Sequence, residues 1–314
     1  MSIMELNDKY TVKDTKDFSD SKRPQTSLYT EVDVRNELGE LLFRRHNVIL
    51  LSGRRFTLEK LFNITPSESK ILTLDQILVG KGNMTSTARE IPEYGSETWE
   101  KEHGGGPVGS QCVCLFGVGK GGAGDRIGDV WPAAAKGSNL YDIVPMRYVF
   151  TPEEDQAIKD DGMYYMRMVD SDGGIGYYLK RFESKPTIKI IAGGQDYVPS
   201  DVDNTPPYIS NESSYMLTDD VDAYVEMTLK INTNDVREWF EAIDADNPVP
   251  YINELALYIG YQNIDPKYKY HGDQVKPDQW SDYYGVEAFS KLTFNNEILA
   301  EDSKELNIIY RIYI

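Results

Sequence analysis

Residues 113–124 read VCLFGVGKGGAG, and the interpretation of this stretch decides the fold. An apolar run from Val113 to Phe116 enters a glycine cluster. Within it, Gly117, Gly119 and Gly122 match the G-x-G-x-x-G spacing of a dinucleotide-binding turn. A true match would make the chain an α/β nucleotide enzyme. The fingerprint, however, requires a helix that opens inside the glycine motif, because the pyrophosphate rests on that helix N-terminus. Here the continuation is AGDRIGDVWPAAAKG, interrupted by Gly124, Gly128 and Pro132. A Walker A loop fails too, since it needs Ser or Thr directly after its lysine and Lys120 is followed by Gly121. The stretch therefore reads as a strand running into a turn-rich loop, and no cofactor is expected.

Outward from this point, strand signals dominate. Twenty-two tyrosines and many β-branched residues favour sheet. Residues 28–45 read as a hairpin with its turn at 36–39, and a strand is expected over 71–79. Further strands are expected at 146–150, 163–169, 176–182, 187–192 and 223–231, with a hairpin turn at DSDGG (170–174). The last residues, 304–314, alternate: Leu306, Ile308, Tyr310 and Ile312 against Asn307, Ile309, Arg311 and Tyr313. A closing strand this apolar on both faces belongs inside a sheet. Near-helical spacing of Phe56, Leu58, Leu61 and Phe62 marks a short helix over 54–63, and the Asn234/Asp235 cap region starts another over 234–243. Many strands, few helices and no regular βαβ alternation predict a mainly β protein: an antiparallel β-sandwich with long loops and a few short helices.

The 314 residues divide into a polar arm at 1–27, a core from 28–141 and 251–314, and a β-rich insertion or second subdomain at 142–250. Loops at 83–110 and 117–141 are long and rich in Gly, Pro and Ser, as functional or disordered loops often are.

Acidic residues exceed basic ones by 18, and the sequence pI is near 4.6. Such a surface repels phosphate backbones, and only Arg44–Arg45 and Arg54–Arg55 form short basic patches, so nucleic acid is not an expected partner. No apolar run of about 18 residues is present to span a membrane. The N-terminus has no apolar core of the kind a secretory signal carries. The only cysteines, Cys112 and Cys114, lie two apart on the 111–116 strand and read as free thiols of a reducing compartment.

Catalytic and metal patterns are sparse. The three histidines, His46, His103 and His271, have no metal or triad spacing. The acidic clusters DSDGG and TDDVDAY do not fit the twelve-residue calcium loop. No catalytic, cofactor-binding or metal-binding residues are expected. Aromatic residues at Trp131 and in YKYHGDQVKPDQWSDYYG (268–285), with Trp280, Tyr283 and Tyr284, are the candidate interaction residues, because flat rings suit both sugar faces and protein contacts.

The order of elements resembles that of virion proteins of tailed bacteriophages of the baseplate, neck and tail-fibre-attachment type. Asn47 and an apolar run lead through Gly53 to a short helix with Leu58 and Leu61; an apolar strand then ends in ILVGKG. Later come INELALYIG, the aromatic-led FSKLTF, the acidic turn AEDSK and a final apolar strand, while CLFGVGKGGAG resembles a second glycine-turn element. The resemblance covers residues 45–82, 111–124 and 251–314, under half of the chain, and leaves 142–250 without a counterpart. It implies a non-enzymatic structural subunit of the virion, made in the host cytoplasm and assembled into a symmetric ring with other virion proteins through its arm and loops. The alternative expectation is a carbohydrate-binding or adhesion β-sandwich module.

Overall fold

A computed structural model describes residues 29–62, 74, 78, 84–86, 111–124, 129–133, 139–184, 186–192, 195–197, 221–243, 249–262, 283–299 and 304–313. The N-terminal arm at 1–27, most of the 83–110 loop and the aromatic stretch up to 282 lie outside them.

The described chain is mainly β. Its strands are β1 (Tyr29–Arg35), β2 (Leu41–Ile49), β3 (Met84–Ser86), β4 (Gln111–Gly119), β5 (Ile143–Val144), β6 (Arg147–Val149), β7 (Tyr164–Asp170), β8 (Ile175–Arg181), β9 (Thr187–Ala192), β10 (Gln195–Tyr197), β11 (Val221–Asn232), β12 (Tyr251–Gln262), β13 (Tyr283–Ile298) and β14 (Glu305–Tyr313). Three helices are described over their length: α1 (Leu51–Leu61), α2 (Pro152–Asp161) and α3 (Thr233–Ile243).

Every strand pairing is antiparallel. Instead of two separate sheets, the hydrogen bonds trace one path, β10-β9-β11-β14-β1-β2-β13-β12-β4-β8-β7-β3, with β5 and β6 attached at β4 and β8. The joint is β2. Its residues from Leu41 to Asn47 pair with β1, whereas Val48 and Ile49 pair with Lys291 and Ser290 of β13. A strand that changes partners partway along turns one half of the sheet across the other. Met227 and Leu229 of one half accordingly share a single core with Leu255, Leu257 and Phe289 of the other.

β14 follows its alternation. Leu306, Ile308, Tyr310 and Ile312 are buried, and the intervening residues are only partly covered. It lies between β11 and β1, so both of its edges are paired. Strands of 142–250 belong to the same sheet, because β11 pairs with β14 and β8 with β4.

α1 packs on β13, where Gly53 lies against Phe289 so closely that a Cβ would sit 2.9 Å from the ring. The Ser52 hydroxyl donates to the Ala288 carbonyl in the same contact. α2 begins at a reciprocal cap. Thr151 accepts from the Glu154 N–H while the Glu154 carboxylate accepts from the Thr151 N–H, Pro152 fills the first turn and Gly162 ends the helix at φ +66°.

Two expectations need correction. Leu74 and Leu78, inside the expected strand 71–79, are both helical and buried. Four residues apart is one face of a helix, and in a short apolar-rich segment such as ILTLDQILV periodicity alone does not tell a buried helix from a strand. The loop expected from 117 begins later, because β4 continues through Gly117 and Gly119 opposite Ala256 and Glu254.

Candidate functional site

The glycine stretch does hold an anion, and the anion is the chain's own. Glu254 on β12 is 0% exposed. Its carboxylate accepts N–H groups from Gly121 at 3.0 Å, Tyr141 at 2.7 Å and Asp142 at 3.0 Å. The ammonium of Lys291, on the neighbouring β13, stands 3.6 Å away. One residue earlier, the Asn253 side chain accepts from the Gly122 N–H at 2.7 Å and donates to the Lys120 carbonyl at 3.1 Å. Converging N–H groups of a turn bind negative charge whatever its source.

Glycine is required here by proximity. A Cβ on Gly119 would lie 2.6 Å from the Glu254 Oε2, and one on Gly121 2.7 Å from the Asp142 N; at Gly122 it would run into the Asn253 carbonyl. On the far side of the pair, Lys291 donates to the Asn139 carbonyl at 3.0 Å and lies over the Tyr141 ring. Burial pulls the Lys291 pKa down and Glu254 opposes that pull. Lys120, at the head of the turn, sits over the rings of Trp239 and Phe240 at 5.0 and 5.6 Å and so ties the turn to α3.

Other acids are engaged in the same way. Asp33 of β1 is fully buried between Arg44 of β2 and Arg311 of β14. Burial alone would raise its pKa, but the bonds and charges of Arg44 and then Arg311 hold its carboxyl below the usual range. Asp155 of α2 receives Arg167 at 2.7 Å, Lys159 at 2.8 Å and the Tyr177 hydroxyl at 2.6 Å. Its pKa is likewise lowered against the effect of burial. At the hairpin tip, Asp170 accepts the N–H groups of Asp172 and Gly174, which accounts for DSDGG as turn chemistry. Among the described residues no group of three or more His, Cys, Asp or Glu is placed to hold a metal ion.

The four candidate interaction residues do not come together as one described patch. Trp131 is about half exposed, and its carbonyl accepts from Thr293 at 2.6 Å. Tyr283 is buried, its ring edge-on to Tyr165 at 4.8 Å. Tyr284 pairs with Tyr261 in the sheet. Trp280 lies outside the described residues, as do His103 and His271. His46 sits on β2 with Nδ1 at 3.2 Å from the Thr30 carbonyl.

A surface feature that sequence reasoning did not identify lies at one end of the sheet. Leu38, Leu41 and Leu42 occupy the tip of the β1–β2 hairpin. β13 runs antiparallel to β2, with Phe294 against Phe43 at 5.0 Å, so its last residue, Ile298, points to the same end. Ile298 pairs with Tyr251, two residues after Val249. Together these are five of the twelve large apolar side chains exposed among the described residues, with Leu38 at 77% and Ile298 at 58%. A second group, Leu51, Leu58 and Phe62, lines the outer side of α1 at i, i+7 and i+11.

No described helix is long and apolar enough to cross a membrane. No protein-family model, curated protein or solved structure matches the chain.

Proposed function

We propose that the protein is a non-enzymatic structural subunit of a tailed phage particle, located in its baseplate, neck or tail-attachment region and joined to copies of itself and to other virion proteins. The observation that carries this reading is the set of exposed apolar side chains toward one end of the sheet, Leu38, Leu41 and Leu42 at the hairpin tip and, by strand direction, Val249 and Ile298. Clustered exposed aliphatic side chains mark surfaces that another protein covers. Two further features support it. The order of sequence elements resembles that of such virion proteins, and the conspicuous polar clusters at Glu254, Asp33 and Asp155 are satisfied internally. Immunogold labelling of intact particles from the source tests the reading. Gold at the tail end or neck is the expected result, and unlabelled particles beside abundant soluble protein would overturn it.

A second reading, a carbohydrate-binding module, draws on Trp131 and Tyr141. Both rings are about half exposed, and the Tyr141 hydroxyl donates to the Pro132 carbonyl at 3.0 Å, which keeps them close along the chain's path. Saturable glycan binding lost in Trp131→Ala would favour it over the assembly role.

A further inference from the structure

Of the two cysteines of β4, Cys112 is in register opposite Gly260, whereas Cys114 lies in a bulge. Val113 faces Ile259 and Leu115 faces Tyr258, so β4 takes two steps where β12 takes one, with Cys114 as the extra residue. On a straight strand, Cα atoms two residues apart are separated by roughly 6.6 Å, near the outer limit for a disulfide. A bulge bends and contracts its strand and brings such a pair within range. The Cys114 Sγ already lies 3.6 Å from the Cys112 carbonyl oxygen. Cys112 is exposed; Cys114 is half-buried against the core cluster that includes Leu115 and Tyr283.

The surroundings are cationic on the exposed side. Lys60, in the last turn of α1, and Arg181, at the end of β8, both act on the Cys112 sulfur. The Tyr283 hydroxyl hydrogen-bonds Cys114 from the core side.

We propose that Cys112 and Cys114 form a dithiol site that reduces low-molecular-weight disulfides of the glutathione class, with Cys112 as the attacking thiol and Cys114 as the resolving one. In the first step the Cys112 thiolate attacks one sulfur of the small disulfide. A protein–small-molecule S–S bond forms, the original S–S bond breaks, and the leaving thiolate takes a proton from water. In the second step Cys114 gives up its proton and attacks the Cys112 sulfur. The mixed disulfide breaks, a second small thiol leaves, and a Cys112–Cys114 disulfide remains. The chain loses two electrons and two protons, and the small disulfide gains them.

Local electrostatics assign the two roles. The hydrogen bond from Cys114, with the charges of Lys60 and Arg181, outweighs burial and pulls the Cys112 pKa down to about 7. The shared bond and burial push Cys114 up. Near neutral pH a large fraction of Cys112 is therefore thiolate, while Cys114 keeps its proton until the first step has consumed the negative charge.

The test treats the full chain with oxidised glutathione at pH 7, quenches with acid and reads intact mass over time. The wild-type chain should pass through a single glutathione adduct to a species two hydrogens lighter with no adduct. Cys114→Ser should stop at the adduct, Cys112→Ser should react roughly tenfold more slowly, and Lys60→Gln, on the surface of α1, should slow only the first step. Circular dichroism confirms that each variant is folded. Cys112→Ser reacting at the wild-type rate would overturn the proposal. So would a wild-type chain that stays at the adduct, or a urea-unfolded chain that reacts as fast as the native one.

Discussion

Glu254 and Lys291 face each other across β12 and β13 at 3.6 Å, both essentially without solvent exposure, and the carboxylate accepts N–H groups from Gly121 of the glycine turn and from Tyr141 and Asp142. A buried pair costs much to desolvate, so removing one partner is worse than removing both. Glu254→Gln should destabilise the fold by about 3–5 kcal/mol, because Lys291 is then left uncompensated. The double variant Glu254→Gln/Lys291→Met should fall short of the sum of the single variants by about 1 kcal/mol or more. Urea unfolding of the four proteins measures this coupling, and strict additivity would refute it.

The turn itself is equally constrained. Gly122→Ala places a Cβ against the Asn253 carbonyl and 2.6 Å from the Glu254 Cγ, and backbone atoms cannot rotate away. A loss of about 1–3 kcal/mol is expected. Gly39→Ala is a useful contrast: no atom lies near its Cβ, but its φ of +80° strains any other residue, so its cost is conformational and independent of Glu254. Combining each with Glu254→Gln separates the two mechanisms. Only Gly122→Ala should couple.

Acid should unfold the protein through its buried carboxylates. The folded pKa values of Asp33 and Asp155 are lowered by their arginine partners, despite burial. A carboxylate with a depressed folded pKa stabilises above the unfolded value of about 3.9, and that contribution disappears as pH falls through the folded value. Stability should therefore decline below about pH 5. Asp33→Asn should lower stability at neutral pH and flatten this acid limb. Circular dichroism melts from pH 2 to 7 provide the comparison, and an unchanged slope in Asp33→Asn would show that other groups govern it.

Thr151 begins α2 by accepting the Glu154 N–H. Thr151→Ala should cost about 1 kcal/mol, while Thr151→Ser should keep most of the cap. Thermal unfolding distinguishes them; equal melting temperatures for the two variants would show that the cap contributes nothing.

The apolar end should govern association. Leu41→Asp with Ile298→Asp puts charge on exposed positions and should leave the melting temperature nearly unchanged. The same change should shift the protein toward monomer or abolish incorporation into particles. Light scattering after size exclusion reads the first outcome. A variant that assembles like the wild type would exclude this end as the interface.

Several elements were legible in the sequence because their signal is local. The turn at Asn36 closes the β1–β2 hairpin with the Asn36 side chain accepting the N–H groups of Leu38 and Glu40, the expected chemistry of such a turn. β14 announced itself through period-two alternation, and α3 through the Asn234 and Asp235 start signal in its first turn. α2 was missed although its signal was present: Thr151, Pro152 and Glu154 followed by Gly162 spell a helix start and stop, but the strongly charged run between them hid it.

Residue order by itself determined the strand-rich, antiparallel character and a short helix, expected over 54–63 and found over 51–61, because turn chemistry and periodicity act within a few residues. Only the tertiary structure decided what the glycines were for. Gly121 and Glu254 are 133 residues apart and meet only because β4 and β12 pair, bringing the turn that follows Gly119 beside Glu254. The single curled sheet was likewise beyond local reading, since it depends on β2 exchanging β1 for β13 at Val48, a choice made by a partner about 240 residues away along the chain. Short-range signals fix what each segment is; which segments meet, and hence where charges are buried and thiols are activated, depends on long-range pairing.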